Sequence, residues 1–339
     1  MNRTLIIAEA GVNHNGDINL AKKLILAAVR ANVDYVKFQT FNTSSIVTTT
    51  AQKAKYQIQN ADKEETQYEM IKKLELSRKE HVELISTCEE YGIKFLSTAF
   101  DLESVDFLEE LNIDFYKIPS GEITNKPYLQ KVASKKKPII LSTGMANKNE
   151  IQDAVDVLSD AGIEKKNIQI LHCNTEYPTP MKDVNLLAML DIKKTFDVEV
   201  GYSDHTLGIE VPIAAVALGA TVIEKHFTLD RNMKGPDHRA SLEPNELKAM
   251  VEGIRNIEKA IGGSGIKEPS ESEKKNKEIA RKSIHTAHPL ALGHILTEND
   301  LVCIRPGGGI SPMDIDSIVG KKMLKNIDAF HLIKKGDVE

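Results

Sequence analysis

The stretch Val198-Glu199-Val200-Gly201-Tyr202 is a short β-branched run, and a helical pattern at residues 209–218 follows it. A second run of the same kind, Thr221-Val222-Ile223-Glu224-Lys225, comes next and precedes another helical pattern at residues 245–261. Short apolar runs that alternate with helical periodicity predict parallel strands joined by crossover helices. These two units therefore indicate an α/β fold.

Toward the N-terminus the same alternation recurs six more times, which gives eight strand–helix units in about 260 residues. This number predicts a closed (β/α)8 TIM barrel, since open doubly wound sheets usually stop at five or six strands. No GxGxxG follows the first strand, which argues against a dinucleotide fold. The six earlier predicted strands are residues 5–8, 35–38, 93–97, 115–118, 139–142 and 168–172.

The alternation ends after residue 261. Residues 262–265 read Gly-Gly-Ser-Gly, and residues 267–282 hold ten charged side chains in sixteen positions, which is typical of a solvated linker. The sequence therefore predicts a catalytic barrel over 1–261, a charged linker over 262–282 and a small domain over 283–339. A domain of this size has a marginal core, so we expect it to dock on another surface.

The overall composition is that of a globular cytoplasmic protein. The 339 residues are 41% hydrophobic and 27% charged, and the formal net charge of −5 argues against nucleic acid as the main partner. Three scattered cysteines favour a reducing compartment over a disulfide framework. The longest apolar run is too short for a membrane helix, and residues 1–9 read as a first strand, not a signal peptide.

Polar side chains stand at or just after the end of every predicted strand, where barrel enzymes carry their chemistry. Each one alone has a structural explanation, because strand ends are polar anyway. Their convergence from all eight strands predicts a site. They are Glu9, Lys37, Gln39, Thr98, Lys117, Ser120, Glu122, Ser142, His172, Ser203, His205, Glu224 and His226.

His205 and His226 follow the seventh and eighth strands, which are neighbours in a barrel. Neighbouring strands lie about 4.8 Å apart in a sheet, so two imidazoles at adjacent strand ends are able to hold one divalent metal and leave positions open for substrate. A histidine after a strand is more often a satisfied loop residue. The pair beside Glu224 makes the metal hypothesis worth testing.

Lys37 and Lys117 end strongly apolar strands, and a lysine in a barrel mouth is costly unless an anion or an acid meets it. Together with nearby hydroxyl groups they predict a cradle for phosphate and carboxylate. Tyr177 lies in a proline-bounded turn after the sixth strand, and Asp237 lies in a Gly-Pro-Asp-His turn after the eighth. Both turns have an ordinary structural reading as well as a ligand-binding one.

Several strings in the chain resemble those of the bacterial sialic acid synthases, in which the barrel is followed by an antifreeze-like domain. The resemblance covers nearly the whole chain, and the motifs together are specific. The strings are Ala8-Glu9-Ala10-Gly11-Val12-Asn13-His14-Asn15-Gly16, Val36-Lys37-Phe38-Gln39-Thr40, Lys117-Ile118-Pro119-Ser120-Gly121-Glu122, Leu141-Ser142-Thr143-Gly144-Met145, Ser203-Asp204-His205-Thr206, Glu224-Lys225-His226-Phe227, Gly235-Pro236-Asp237-His238 and Arg305-Pro306-Gly307-Gly308-Gly309.

The resemblance implies a condensation of phosphoenolpyruvate with an N-acylated mannose-type sugar, with Mn²⁺ or Mg²⁺ held by His205 and His226. It places Arg305 against the sugar's acyl group, contributed by the other subunit of a domain-swapped homodimer. Glu122 and Glu224 match acidic positions near the reacting centre without a defined acid–base role. The phosphoenolpyruvate groups would be Lys37, Thr98, Lys117, Ser120, Ser142 and Ser203, and the sugar groups Glu9, Gln39, Tyr177 and Asp237.

The sugar itself stays open between N-acetylmannosamine, which gives N-acetylneuraminate, and 2,4-diacetamido-2,4,6-trideoxymannose, which gives N,N'-diacetyllegionaminate. Some family members carry Asn where Thr175 stands, so no contact is assigned there. Two other functions remain alternatives. One is a Schiff-base aldolase with Lys117 as nucleophile, and the other is a non-catalytic sugar-binding protein.

Overall fold

The structure is a computed structural model that describes residues 3–53 and 65–339. The chain divides into two units, Met1–Gly262 and Gly263–Glu339. Residues 1 and 2, which belong to the N-terminal stretch read as a first strand, lie outside the described residues. Part of the polar stretch between the second strand and the following helix also lies outside them.

The first unit confirms the predicted barrel. Its eight strands are all parallel and pair in the order β3-β2-β1-β8-β7-β6-β5-β4, while β3 and β4 lie side by side and complete the ring without a hydrogen-bonded ladder. The strands are β1 Leu5–Gly11, β2 Tyr35–Thr40, β3 Lys94–Ala99, β4 Tyr116–Ile118, β5 Ile139–Ser142, β6 Ile168–Cys173, β7 Glu199–Asp204 and β8 Val222–His226.

Helices surround the strands, and side-chain caps set several of their first residues. Ser77 and Glu80 form a reciprocal capping box at the start of one helix, and Asn147 and Glu150 form another. The helices of this unit are α1 Ile18–Ala31, α2 Thr43–Ile46, α3 Gln67–Lys72, α4 Arg78–Tyr91, α5 Leu102–Glu110, α6 Lys126–Ala133, α7 Lys148–Asp160, α8 Ala188–Phe196, α9 Glu210–Ala217 and α10 Pro244–Ile261. No helix of the described residues is long and apolar enough to span a membrane.

Two apolar layers fix the position of the site. A large layer packs the helices on the outside of the strands, and a smaller cluster joins seven of the barrel's inner residues. Because this cluster occupies the barrel interior, open space is left where the carboxyl ends of the strands meet. The inner cluster consists of Ile7, Tyr35, Leu96, Phe115, Ile140, Leu171 and Val222.

The second unit begins with a helix that the predicted linker did not include, α11 Glu271–Ala280. Ser270 and Glu273 form a capping box at its start, and every residue of the helix is exposed. Charged residues with a good cap support a solvent-exposed helix even without an apolar face. Two antiparallel strands follow, β9 Ser283–Thr286 and β10 Leu301–Ile304.

Two segments of this unit, residues 290–301 and 327–338, repeat one arrangement. In each, a histidine donates through Nε2 to an aspartate six positions later, His294 to Asp300 at 3.0 Å and His331 to Asp337 at 3.2 Å. Each aspartate also caps a short 3₁₀ turn, and both are buried. Core side chains recur at matching positions, namely Leu290, Leu296 and Leu301 in one segment and Ile327, Ile333 and Val338 in the other.

Candidate active site

A cavity of about 380 Å³ opens at the carboxyl ends of the barrel strands, within the size range of ligand pockets. All but three of the residues predicted for the site line it. Their convergence follows from the parallel register, since each follows or ends a strand of the same ring. They are Glu9, Lys37, Gln39, Thr98, Lys117, Ser120, Ser142, Tyr177, Ser203, His205, Glu224, His226 and Asp237.

The floor of the cavity carries four buried charges of alternating sign. Lys37 Nζ lies 2.7 Å from Glu9 Oε2 and 3.5 Å from Glu224 Oε2. Lys117 Nζ lies 3.1 Å from Glu224 Oε1. Each lysine is therefore paired with a carboxylate, and the pairing offsets the desolvation cost of burying its charge in an apolar strand.

The two acids of this floor differ in electrostatic environment. Burial raises the pKa of Glu9 to about 7, although Lys37 acts in the opposite direction. Burial also disfavours the charge on Glu224, but Lys117 and Lys37 together hold its pKa well below the usual range. Burial would lower the pKa of Lys37, yet Glu224 and Glu9 raise it above its ordinary value. The floor thus keeps a permanent carboxylate at Glu224 and a proton-accepting group at Glu9.

Hydroxyl groups surround the two lysines. Lys37 Nζ donates to Thr98 Oγ1 at 2.9 Å, and Ser203 Oγ donates to Glu224 Oε1 at 3.0 Å. Ser120 Oγ accepts from the backbone N–H of Gly144 at 2.9 Å. Ser142 Oγ is buried without a hydrogen-bond partner, a state that costs free energy until a ligand oxygen meets it. Cations and free hydroxyl donors together suit a small phosphorylated acid.

Two histidines form one wall, with ring centroids 5.4 Å apart. His205 Nδ1 donates to the Asn174 carbonyl, so its Nε2 carries the lone pair, and Tyr177 OH donates to that nitrogen at 3.0 Å. Burial lowers the pKa of His205 to about 4 and lowers that of His226 well below its ordinary value. Both rings are therefore neutral at pH 7, as metal ligands must be.

This pair fits a divalent cation. His226 Nδ1 is buried without a hydrogen-bond partner, so the ring is only partly satisfied by the protein. In the described part of the chain no three His, Cys, Asp or Glu residues are grouped to hold a metal, so a cation held by these two rings would need further ligands from substrate or water.

Gln39 and Asp237 face the same space. Gln39 Nε2 donates to Glu9 Oε1 at 3.3 Å. Burial raises the pKa of Asp237 to about 6. The turn that carries Asp237 is held by Ser241, whose hydroxyl donates to the Asp237 carbonyl, and by His238, whose ring contacts Asn15 Oδ1 at 3.1 Å.

Three residues that the sequence analysis singled out lie elsewhere. Glu122 sits in a 3₁₀ turn, where it accepts from Asn125, and it is not among the described residues that line the cavity. His172 Nε2 donates to the Val184 carbonyl at 2.9 Å, so this ring is satisfied by its own loop. Arg305 belongs to the second unit, where its Nε donates to the Ala280 carbonyl at 2.9 Å.

Sequence reasoning missed an ion pair behind the histidines. Lys225 Nζ contacts Asp204 Oδ2 at 2.5 Å, and neither side chain has exposed surface. Thr206 donates to Asp204 through both its backbone N–H and its hydroxyl, each at 3.0 Å. Only the register that sets Asp204 opposite Lys225 reveals this pair.

It also missed the apolar side of the cavity. Phe41 and Ile46 follow β2, Met70 and Ile71 come from α3, and Phe100 follows β3. Phe41 and Phe100 pack edge to face with centroids 6.4 Å apart. These positions show no strand or helix periodicity of their own, so the sequence offered no signal for them.

The fold and this site define a (β/α)8-barrel protein with an ion-paired anion cradle, two neutral imidazoles and a small appended domain. The chain belongs to the NeuB family, whose model matches residues 24–267, and an SAF domain matches residues 281–339. The resemblance drawn from the motifs is thereby confirmed.

Named relatives extend over nearly all of the chain. It is 54% identical to an N,N'-diacetyllegionaminic acid synthase of Campylobacter jejuni, covering 99% of this chain and 100% of that protein. It is 48% identical to a protein of the same name from Legionella pneumophila, covering 96% and 91%. A solved structure of the N-acetylneuraminic acid (sialic acid) synthetase of Leptospira borgpetersenii is 35% identical, with a TM-score of 0.70, and the match covers 81% of this chain and 90% of that one.

Proposed function

We propose that this chain condenses phosphoenolpyruvate with an N-acylated mannose-type sugar and releases phosphate. The single observation that carries the proposal is one cavity that joins two ion-paired lysines to two neutral imidazoles. The two relatives named N,N'-diacetyllegionaminic acid synthase favour 2,4-diacetamido-2,4,6-trideoxymannose as the sugar. The product is then N,N'-diacetyllegionaminate.

Phosphoenolpyruvate binds through Lys37 and Lys117, whose charges offset those of its phosphate and carboxylate. Four hydroxyl groups complete the cradle, and Ser142 has an unused donor for this purpose. In the absence of substrate, Glu9 and Glu224 pair with the lysines and hold them in place. When phosphoenolpyruvate binds, the lysines pair with its phosphate and carboxylate instead. The hydroxyls belong to Thr98, Ser120, Ser142 and Ser203.

The sugar lies against the side of the cavity formed by Glu9, Gln39, Tyr177 and Asp237. His205 and His226 hold the divalent cation, which when bound polarises the sugar's aldehyde oxygen as a Lewis acid. The Asn174 carbonyl accepts from His205 Nδ1 and so leaves the lone pair on Nε2, and Tyr177 OH, which donates to that nitrogen here, would release it when the cation binds.

In the reaction, C3 of phosphoenolpyruvate forms a bond to the aldehyde carbon, and the aldehyde oxygen takes up a proton. Water adds to C2 and loses one proton, and the C2–O bond to phosphate then breaks as the new C2 hydroxyl passes its proton to the departing phosphate. The 2-keto acid and inorganic phosphate result. Glu9, with its pKa of about 7, is suited to accept the water proton, and the lysines stabilise the departing phosphate.

The second unit completes the site of a partner subunit in a domain-swapped homodimer. Arg305 precedes Pro306 and three glycines, and its guanidinium offers a planar donor for the sugar's acyl carbonyl. We expect Arg305→Ala and His226→Ala proteins, each inactive, to regain activity after subunit exchange, because one heterodimer site keeps both groups. Demonstrated exchange without activity would contradict a role in trans.

The decisive assay mixes the protein with phosphoenolpyruvate, Mn²⁺ and each candidate sugar and follows phosphate release. Release that depends on the sugar supports the proposal. Trapping by borohydride of an adduct on Lys117 would instead support the Schiff-base aldolase, and sugar binding without phosphate release would support a binding protein. The three free cysteines fit a reducing compartment, so we place the reaction in the cytoplasm.

A further inference from the structure

The cavity has two chemically different sides. The polar side consists of strand-end residues, whereas the other side is built from segments that follow β1, β2 and β3. Between Phe41 and Leu74, every described residue that lines the cavity is apolar. We call Phe41, Ile46, Met70, Ile71 and Phe100 the apolar wall.

The apolar wall has no role in holding phosphoenolpyruvate or a cation, since both need charge or lone pairs. Its residues are also not all buried in a hydrophobic core, because Ile46, Ile71 and Phe100 are partly exposed and line the cavity. Phe41 and Leu74 are each 8% exposed, and Ile46, Ile71 and Phe100 pack against them, which fixes the shape of the wall. A surface of this kind stabilises a ligand group only if that group is apolar.

The two candidate sugars differ in the polarity of their groups at C4 and C6, and an apolar surface distinguishes polar from apolar groups. N-acetylmannosamine carries hydroxyl groups at C4 and C6, and each would lose hydrogen bonds to water against an apolar wall. The 2,4-diacetamido-2,4,6-trideoxy sugar carries an acetamido methyl at C4 and a methyl at C6 instead. Burying each methyl is favourable, and one buried methylene changes kcat/KM by about 10–200-fold.

We infer that the apolar wall is the specificity surface that selects a sugar with methyl groups at its C4 acetamido and C6 positions. The inference rests on the proposed function and adds to it the residues that choose the substrate. It assigns Ile46, Ile71 and Phe100 to methyl recognition, and it leaves bond formation to the polar side.

The test compares kcat/KM for N-acetylmannosamine, its 6-deoxy analogue and the diacetamido-trideoxy sugar at saturating phosphoenolpyruvate and Mn²⁺. The wild-type protein is expected to prefer the trideoxy sugar by at least about 100-fold, with the 6-deoxy analogue in between. Ile46→Ser and Ile71→Ser are expected to lower the trideoxy-to-N-acetylmannosamine ratio about tenfold or more. Both positions are partly exposed, so these variants place little demand on folding.

Ile261→Ser serves as the matched control, because Ile261 is 38% exposed at the end of α10 and is not a cavity residue among those described. Its sugar preference should equal that of the wild type. Equal use of both sugars by the wild type, or an unchanged ratio in both wall variants, would overturn the inference while leaving the proposed function intact. Absence of phosphate release with every sugar would instead overturn the proposed function.

Discussion

Lys225 and Asp204 form a fully buried ion pair, 2.5 Å from Nζ to Oδ2, and each immediately precedes one of the two cavity histidines. Lys225 also donates to the Thr206 carbonyl, so the pair fixes the chain on both sides of His205. The burial of Lys225 lowers its pKa although Asp204 acts in the opposite direction. The ends of β7 and β8 are thus joined by charge just behind the imidazole wall.

Breaking this pair on one side should destabilise the protein strongly. We expect Lys225→Met to reduce the free energy of unfolding by about 3–5 kcal/mol, because Asp204 is left as an uncompensated buried charge. The double variant Lys225→Met with Asp204→Leu should recover most of the loss. Urea titrations of the three proteins measure this. Equal destabilisation of the single and double variants would contradict the pairing argument.

The two cavity histidines, His205 and His226, should control the affinity of the protein for a divalent metal. We expect His205→Ala and His226→Ala each to weaken Mn²⁺ binding by more than about 100-fold, beyond the 10–100-fold typical of outer-shell partners. Calorimetric titration with Mn²⁺ alone measures it. His172→Gln is the control, since His172 ends the neighbouring strand but bonds its own loop. Full turnover after removal of metal by EDTA would contradict the metal role.

Lys37→Met should both weaken substrate binding and destabilise the apo protein. The KM for phosphoenolpyruvate is expected to rise at least tenfold, about the 1.5–3 kcal/mol of a charged hydrogen bond. The loss of Lys37 also leaves Glu9 without its 2.7 Å partner. Adding Glu9→Gln should restore stability but not the KM. An unchanged KM would place the anion cradle elsewhere.

Asp237 should make stability depend on pH. Burial raises its pKa from 3.8 to about 6, so the folded state favours the protonated form and stability falls as pH rises from about 4 to 6. Above about pH 6 the buried carboxylate is ionised, and the loss of folding stability has reached its full size. We therefore expect Asp237→Asn to gain about 1–3 kcal/mol at pH 7.5 and little at pH 4. Thermal unfolding at both values measures it, and an equal gain at both would contradict burial as the cause.

Much of the barrel could be predicted because each strand is a short β-branched run and each helix has its own periodicity. The ends of helix α4 have signals of this kind, since Ser77 caps one end and Gly92 adopts a left-handed conformation at the other. Helix α11 was missed because its signal is a cap and a set of charges without an apolar stripe. The predicted division at residues 262–282 remains a prediction.

The site was predictable as far as strand ends determine it. Lys37 and Lys117 were expected to need an anion or an acid, but only the barrel's closure shows that Glu9 and Glu224 meet them. The apolar wall could not be predicted from the sequence, because Ile46 and Ile71 belong to short helices whose positions depend on tertiary packing.

The paired histidine–aspartate turns of the second unit have a consequence for its origin. Two segments with the same bonds and the same core positions are what a tandem duplication of one short module leaves behind. Leu290 and Leu296 of one copy and Ile327, Ile333 and Val338 of the other belong to one buried cluster, so neither copy encloses a core alone. Using the same turn twice gives this small unit one shared apolar core, while its cysteine, Cys303, stays unbridged.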